Sequence, residues 1–305
     1  MRGLLPALLA AVVSAGAATA HAARPTIAGC PVLNPSSAWN QRVDRAPVAR
    51  DSQKLIASIG LTSGFHADFG SGRWDGGPIG IPYTVVGGGQ RRVKVSFDYA
   101  GESDRGRYPI PPKAPIEGGA GADGDRHVLV VDKRACKLYE LFDAHPLGGG
   151  ASWKAGSGAI FDLRRGDLQR TRGWTSADAA GLPILPGLAR YDEVAAGAIE
   201  HALRFTAPRT RAAFLAPAQH FASDSSDRAL PPMGLRVRLK RSVSLRGLPP
   251  QARVIAVAMQ RYGLLLADNG SPWYVSGVPS PRWDNDQLHA LDRLTGRDFE
   301  VVAPR

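Results

Sequence analysis

A mainly β fold, a single-domain sandwich or jelly-roll-like architecture with two to three peripheral helices, is what the sequence predicts, and three observations predict it. Glycine and proline are abundant, 35 and 24 of 305 residues, which favours turns and short elements over long helices. Apolar residues recur in short runs rich in Val, Leu, Tyr and Phe, bounded by Gly, Asn and Asp, as strands are. Helical spacing is confined to three short stretches near 51–60, 250–263 and 284–294. The composition, 44% hydrophobic and 21% charged, is that of a chain able to bury a core. It excludes disordered and collagenous classes, and the brevity of the helical stretches argues against a bundle.

Residues 1–22 read as a secretory signal, with Arg2, an apolar run from Leu4 to Ala18, and Ala20-His21-Ala22 as an A-x-A site before a mature domain over 23–305. Ala18-Thr19-Ala20 offers a second cleavage point that would leave His21 at the N-terminus, as in copper-brace enzymes. Ile27-Ala28-Gly29-Cys30 resembles a lipoprotein box, although Arg24 and Pro25 separate it from the apolar run. Secretion, extracellular or periplasmic, is therefore expected, with no membrane insertion once the signal is removed. In an oxidising compartment the two cysteines, Cys30 and Cys136, are expected to form a disulfide. On the chain-entropy account, closing so long a loop contributes about 4–5 kcal/mol.

After an extended start over 23–50, Asp51 is placed to cap a short helix that Gly60 ends. The runs 83–86 and 92–97, separated by Gly87-Gly88-Gly89, read as a hairpin. Residues 98–125 form a loop long enough to be functional. The clearest hairpin pairs 127–131 with 137–142, and 153–163 and 202–206 read as further strands. Residues 234–243 alternate, with Arg236, Arg238 and Lys240 interleaving Leu235, Val237 and Leu239, which predicts a half-buried strand with a solvated basic face. Pro250 opens the best helix and Gly263 is its expected C-cap. Residues 264–267 and 273–276 read as a hairpin across Asp268-Asn269-Gly270. Asp284 with Gln287 resembles a capping box for a helix through Leu294, and 298–302 read as a closing strand.

The formal net charge of +11 directs the chain toward anionic polymers. Its basic residues are dispersed in short groups such as Arg91-Arg92-Val93-Lys94 and Arg164-Arg165, without a nucleic-acid-binding signature around them. The expected partner is a polysaccharide or an anionic cell-envelope polymer and not nucleic acid, and the chain is expected to be a monomer.

Several motifs fail on context. Gly119-Ala120-Gly121-Ala122-Asp123-Gly124 fits G-x-G-x-x-G but follows a proline-rich loop and precedes a strand, so no helix N-terminus would meet a pyrophosphate. G-x-S-x-G, H-E-x-x-H and the P-loop are absent. The hairpin at 127–141 is similar to the opening strands of L,D-transpeptidases, but no cysteine follows Cys136 to act as their nucleophile. His66 and Asp68 supply two metal ligands from one tripeptide, too few for a site, and no metal or cofactor is expected.

Three groups of polar residues remain where loops meet strands: one around His66, Trp74 and Asp75, a second from Glu102 through Glu117 to Asp125 and His127, and a third at Asp268 with Trp273, Tyr274 and Trp283. A carboxylate pair with one raised pKa runs acid/base chemistry on a glycosidic bond, and aromatic rings stack on sugar faces. Glu117, Asp125, His127 and Asp268 are the acid/base candidates, and Trp74, Tyr274 and Trp283 the sugar platforms. Plainer readings stand beside several of these: Asp268-Asn269-Gly270 as a hairpin turn, Asp125 as a loop-bracing group, His127 as a satisfied buried histidine, and Trp74, like Trp153 and Trp174, as core.

The segments Tyr108-Pro109-Ile110-Pro111, Asp125 through Asp132, Thr175 through Ile184, Pro232 through Arg236 and Ala267 through Ser271 resemble a family of uncharacterised secreted bacterial proteins. The resemblance implies export and one domain, and no activity. The function expected is a secreted carbohydrate-active protein, a glycoside hydrolase or lyase using acid/base carboxylates. The alternative is a non-catalytic glycan-binding or envelope-associated module.

Overall fold

The structure is a computed structural model in which residues 25–165 and 170–304 are described. Residues 1–22, expected to be a signal segment with His21 as an alternative N-terminus, lie outside the described residues. The chain is mainly β, with two four-stranded sheets, a six-stranded sheet and four α-helices among the described residues.

The first four-stranded sheet is built around Val128–Asp132, which pairs with Lys137–Phe142 in the predicted hairpin and with Tyr83–Val86 in parallel; Ser157–Asp162 forms its other edge. Every residue of Val128–Asp132 is buried, because the sheet is covered on both faces. Val128, Val130, Tyr139 and Leu141 point into one core with Val93, Tyr108 and Trp153 of the second four-stranded sheet. Leu129, Val131 and Leu138 point the other way, onto Ile184, Leu185 and Leu188. The two sheets thus form a sandwich, and the period-2 alternation of the strands divides their side chains between the two layers.

The six-stranded sheet carries the largest core. In the order of its strands it runs Phe299–Val301, Arg236–Leu239, Leu264–Asn269, Leu203–Ala207, Tyr274–Ser276, His66–Asp68. The helices Ser52–Gly60 and Pro250–Arg261 pack their buried faces (Leu55, Ile56, Ile59; Ile255, Ala258, Met259) into it. Gly263 has a φ of +73° and its N–H donates to the Ala258 carbonyl at 3.2 Å, which ends the second helix as its position predicts. Asp284 caps Asn285–His289, accepting from the Gln287 N–H at 3.2 Å, but this helix stops well short of Leu294.

The disulfide forms between Cys30 and Cys136 across 106 residues and ties the 25–33 segment to the turn after Val128–Asp132.

Three expectations are corrected. Tyr83–Val86 and Val93–Phe97 are not a hairpin: they lie in different sheets, the second pairing with Arg107–Tyr108 and, in parallel, with Ser152–Ala155. Leu264–Asn269 and Tyr274–Ser276 do not pair either, because Leu203–Ala207 is inserted between them and pairs with both. The basic face of Arg236–Leu239 is not solvated. Arg238 is buried with Glu300 at 2.8 Å, and Arg236 donates to the Ala38 and Gln41 carbonyls, so these guanidiniums hold down the N-terminal segment.

Candidate active-site cleft

Two cavities meet at Asp125. The larger, about 800 Å³, is walled by His66, Asp68, Trp74, Glu117, Asp123 and Tyr274, among others. The smaller, about 390 Å³, is walled by Glu102, Ser157, Ala177, Asp178, His220 and Asp268, among others. Asp125 lines both.

Glu117 and His127 sit on facing segments, the Glu117 N–H donating to the His127 carbonyl at 3.0 Å. The Glu117 carboxylate accepts from His127 Nδ1 at 2.5 Å, and His127 Nε2 lies 2.9 Å from the Ala177 carbonyl. Both ring nitrogens therefore face acceptors, which only the doubly protonated imidazolium satisfies. Burial works against that charge, but the Glu117 carboxylate outweighs it and raises the His127 pKa to about 9. Burial likewise pushes the Glu117 carboxyl up, and the imidazolium overcomes it and holds it below its ordinary value. His127 lines neither cavity; it is a fixed charge beneath the cleft floor that joins the 117–127 loop to the 175–178 loop.

Asp125 belongs to a loop braced by Arg126. The Arg126 side chain is buried, donating to the carbonyls of Ala120, Ala122 and Ala144, so its charge is spent on backbone rather than presented to the cleft. Gly77 supports the same loop from beneath. A Cβ there would lie 2.1 Å from the Gly118 carbonyl carbon, so only glycine lets Gly77–Pro78 pass beside the residue next to Glu117.

Asp268 is near the end of Leu264–Asn269, where the register with Leu203–Ala207 shifts between Phe205 and Thr206. Such an irregularity re-aims side chains. The Asp268 side chain is 23% exposed and 3.9 Å from the Arg204 guanidinium. Burial raises its pKa, Arg204 opposes this, and the nearby Asp125 charge raises it further. Arg204 also bonds the Asp178 carboxylate and the Ser276 hydroxyl, the latter at 2.8 Å. Asp178 is 1% exposed, and burial, only partly opposed by Arg204, lifts its pKa to about 7.

The aromatic candidates divide. Trp74 is 79% exposed on the wall of the larger cavity, and Tyr274 lines the same cavity with its ring 4.3 Å from that of His66. Trp283 is 3% exposed, packed between Phe69 and Tyr191 with its indole N–H bonded to the Val278 carbonyl at 2.8 Å. It is a core residue and offers no face to a sugar.

The structure thus brings Asp125 and Asp268 to one cavity and Glu117 and Asp125 to the other. Sequence reasoning placed Glu102 in a candidate polar region but missed Asp178, Arg204 and His220 as members of the site. Asp178 lies inside Thr175 through Ile184, a segment read as irregular and for its resemblance but not for its carboxylate; Arg204 sits in a strand with no local pattern to single it out. Among the described residues no group of three or more His, Cys, Asp or Glu is placed to hold a metal ion, and no helix is long and apolar enough to cross a membrane. No family model, curated protein or solved structure matches the chain.

Proposed function

We propose that the protein is an exported glycan hydrolase whose acid/base pair is Asp268 and Asp125. The observation that carries this reading is that the two carboxylates line one cavity, where burial first, and the charge of Asp125 beside it, raise the proton affinity of Asp268 against the pull of Arg204. A carboxyl of raised proton affinity beside a second carboxylate is the arrangement that glycosidic cleavage needs. Asp268 gives its proton to the glycosidic oxygen as the bond to the anomeric carbon breaks. A water adds to that carbon, its proton passing to Asp125, and proton return to Asp268 completes the cycle. The Arg204 guanidinium steadies the Asp268 carboxylate left after proton transfer. Trp74 and Tyr274 supply ring faces along the larger cavity.

A binding module without turnover is the second reading, and the exposure of Trp74 is what favours it. Asp268→Asn and Asp125→Asn separate the two. For a hydrolase, either variant keeps its fold by circular dichroism and loses turnover by at least about a hundredfold, the scale of a general acid/base contribution. For a binding module, no turnover exists to lose and Trp74→Ala abolishes retention on glycan.

A further inference from the structure

The aromatic side chains that stand out to solvent among the described residues are Trp74, Tyr99 and Phe221, 79%, 58% and 37% exposed. Trp74 walls the larger cavity and Tyr99 the smaller, and Phe221 lies in the chain between His220 and Ala222, which both line the smaller. Trp39, Trp153, Trp273 and Trp283, by contrast, are buried. The rings that the core leaves out are thus gathered at the cleft, and exposed apolar groups that are gathered rather than scattered mark a binding surface.

Tyr99 is carried on a fixed backbone. Its N–H donates to the Gly156 carbonyl at 2.9 Å, and its carbonyl accepts from the Glu102 N–H at 3.0 Å and the Ser103 hydroxyl at 2.9 Å. The Glu102 carboxylate accepts from the Thr175 N–H at 3.1 Å, which fastens this turn to the wall of the smaller cavity. Among the described residues the Tyr99 ring has no ring or cation partner and its hydroxyl no hydrogen bond. Trp74 is held as firmly: Arg73–Trp74 pairs with Gly77–Pro78 across Asp75 and Gly76, both at positive φ, the two-residue turn that closes a hairpin tightly. A ring on a fixed backbone loses little freedom when a ligand stacks on it.

Asp125 is the one residue that lines both cavities, so space lies on each side of it and each side carries an exposed ring. Arg126 is the one Lys or Arg on either lining, and it is turned into backbone carbonyls. No lysine or arginine of the linings is left to pair with an acidic substituent. We propose that Tyr99 is a second sugar platform, across Asp125 from Trp74 and Tyr274, and that the cleft takes an internal stretch of an uncharged polysaccharide, with rings seated on both sides of the bond it cleaves, rather than a chain end. The inference rests on the glycan reading of the cleft and adds the class of chain and the place of attack on it.

The test compares the full chain with its Tyr99→Ala and Trp74→Ala variants, both at exposed rings, on four uncharged soluble polymers: hydroxyethylcellulose, arabinoxylan, galactomannan and glycol chitin. Retention is read by affinity electrophoresis, and cleavage by new reducing ends together with viscosity. The expected result is retention by at least one polymer, weakened at least about threefold by each variant, the scale of an aromatic stacking contact, and a steep fall in viscosity while few new ends have formed. New ends at unchanged viscosity mean attack at chain ends, which overturns the inference and leaves the hydrolase reading standing. Retention weakened by only one variant, or by neither, overturns the two-sided site whether or not the polymer is cut. Retention weakened by both without new ends upholds the two-sided site and overturns the hydrolase reading. Neither retention nor new ends on any of the four overturns the inference, and reducing-end release from charged polysaccharides then decides the hydrolase reading.

Discussion

Glu140 lies on Lys137–Phe142 with its carboxyl turned toward the layer of Ile184 and Leu185, fully buried. Its oxygens accept from the Ile184 N–H at 3.0 and 2.9 Å and from the Leu185 N–H at 2.9 Å. Burial nonetheless dominates these donors and lifts its pKa from an ordinary 4.5 to about 7. The folded state therefore holds this proton more tightly than the unfolded chain does. Stability falls as pH rises from about 4.5 to about 7, and at roughly 1.4 kcal/mol per factor of ten the loss is about 3 kcal/mol above pH 7. Glu140→Gln removes the titration. The glutamine oxygen in the place of Oε1 still reaches both N–H groups, so the variant is expected to be more stable than the wild type at pH 8 by up to about 3 kcal/mol, roughly 5–10 °C in Tm. At pH 4, where the carboxyl is protonated in both states, the two proteins should melt together. Paired thermal melts between pH 4 and 8 measure the difference. A variant less stable than the wild type at pH 8, or a gap that does not widen from pH 4 to 8, refutes the reasoning.

Glu117→Gln leaves the His127 ring buried without its counter-ion. Stability from the raised His127 pKa is fully present below about 6.5 and is lost as pH rises through about 9, whereas that from Glu117 is present above its ordinary value and lost as pH falls through its lowered one. The Glu117–His127 contribution is thus expected to be full between these limits, read as a constant Tm difference between wild type and variant there, and that difference to shrink toward pH 9. Gly77→Ala drives a methyl into the Gly118 backbone and is expected to cost about 1–3 kcal/mol, read from the denaturant midpoint, with the 117–125 loop displaced. Cys30→Ser with Cys136→Ser opens a link across 106 residues and is expected to lower stability by as much as about 4–5 kcal/mol, a loss that reducing agent reproduces in the wild type.

Local signals carried the elements they govern. The hairpin of Val128–Asp132 with Lys137–Phe142, the helix Pro250–Arg261 with Gly263 at its end, and the Asp284 cap were each legible because turn chemistry, capping and periodicity act within a few residues. Strand order was not. Leu203–Ala207 enters between Leu264–Asn269 and Tyr274–Ser276 from some sixty residues away, and no local pattern announces a partner that distant. The same limit explains the site. Asp125 and Asp268 could be named as carboxylates at loop and strand ends, but their meeting at one cavity, and the burial of Asp178 and Arg204 beside Asp268, are products of topology. Arg236 and Arg238 alternate with apolar residues as a solvated face does, yet distant carbonyls and Glu300 claim them.

The most direct measurement is release of new reducing ends from a panel of neutral, amino and acidic polysaccharides by the wild-type chain, with Asp268→Asn run beside it. New ends from at least one glycan are expected, with their loss in the variant at unchanged Tm. Depletion of the protein onto a glycan without new ends, or turnover that survives in the variant, would contradict the proposed function.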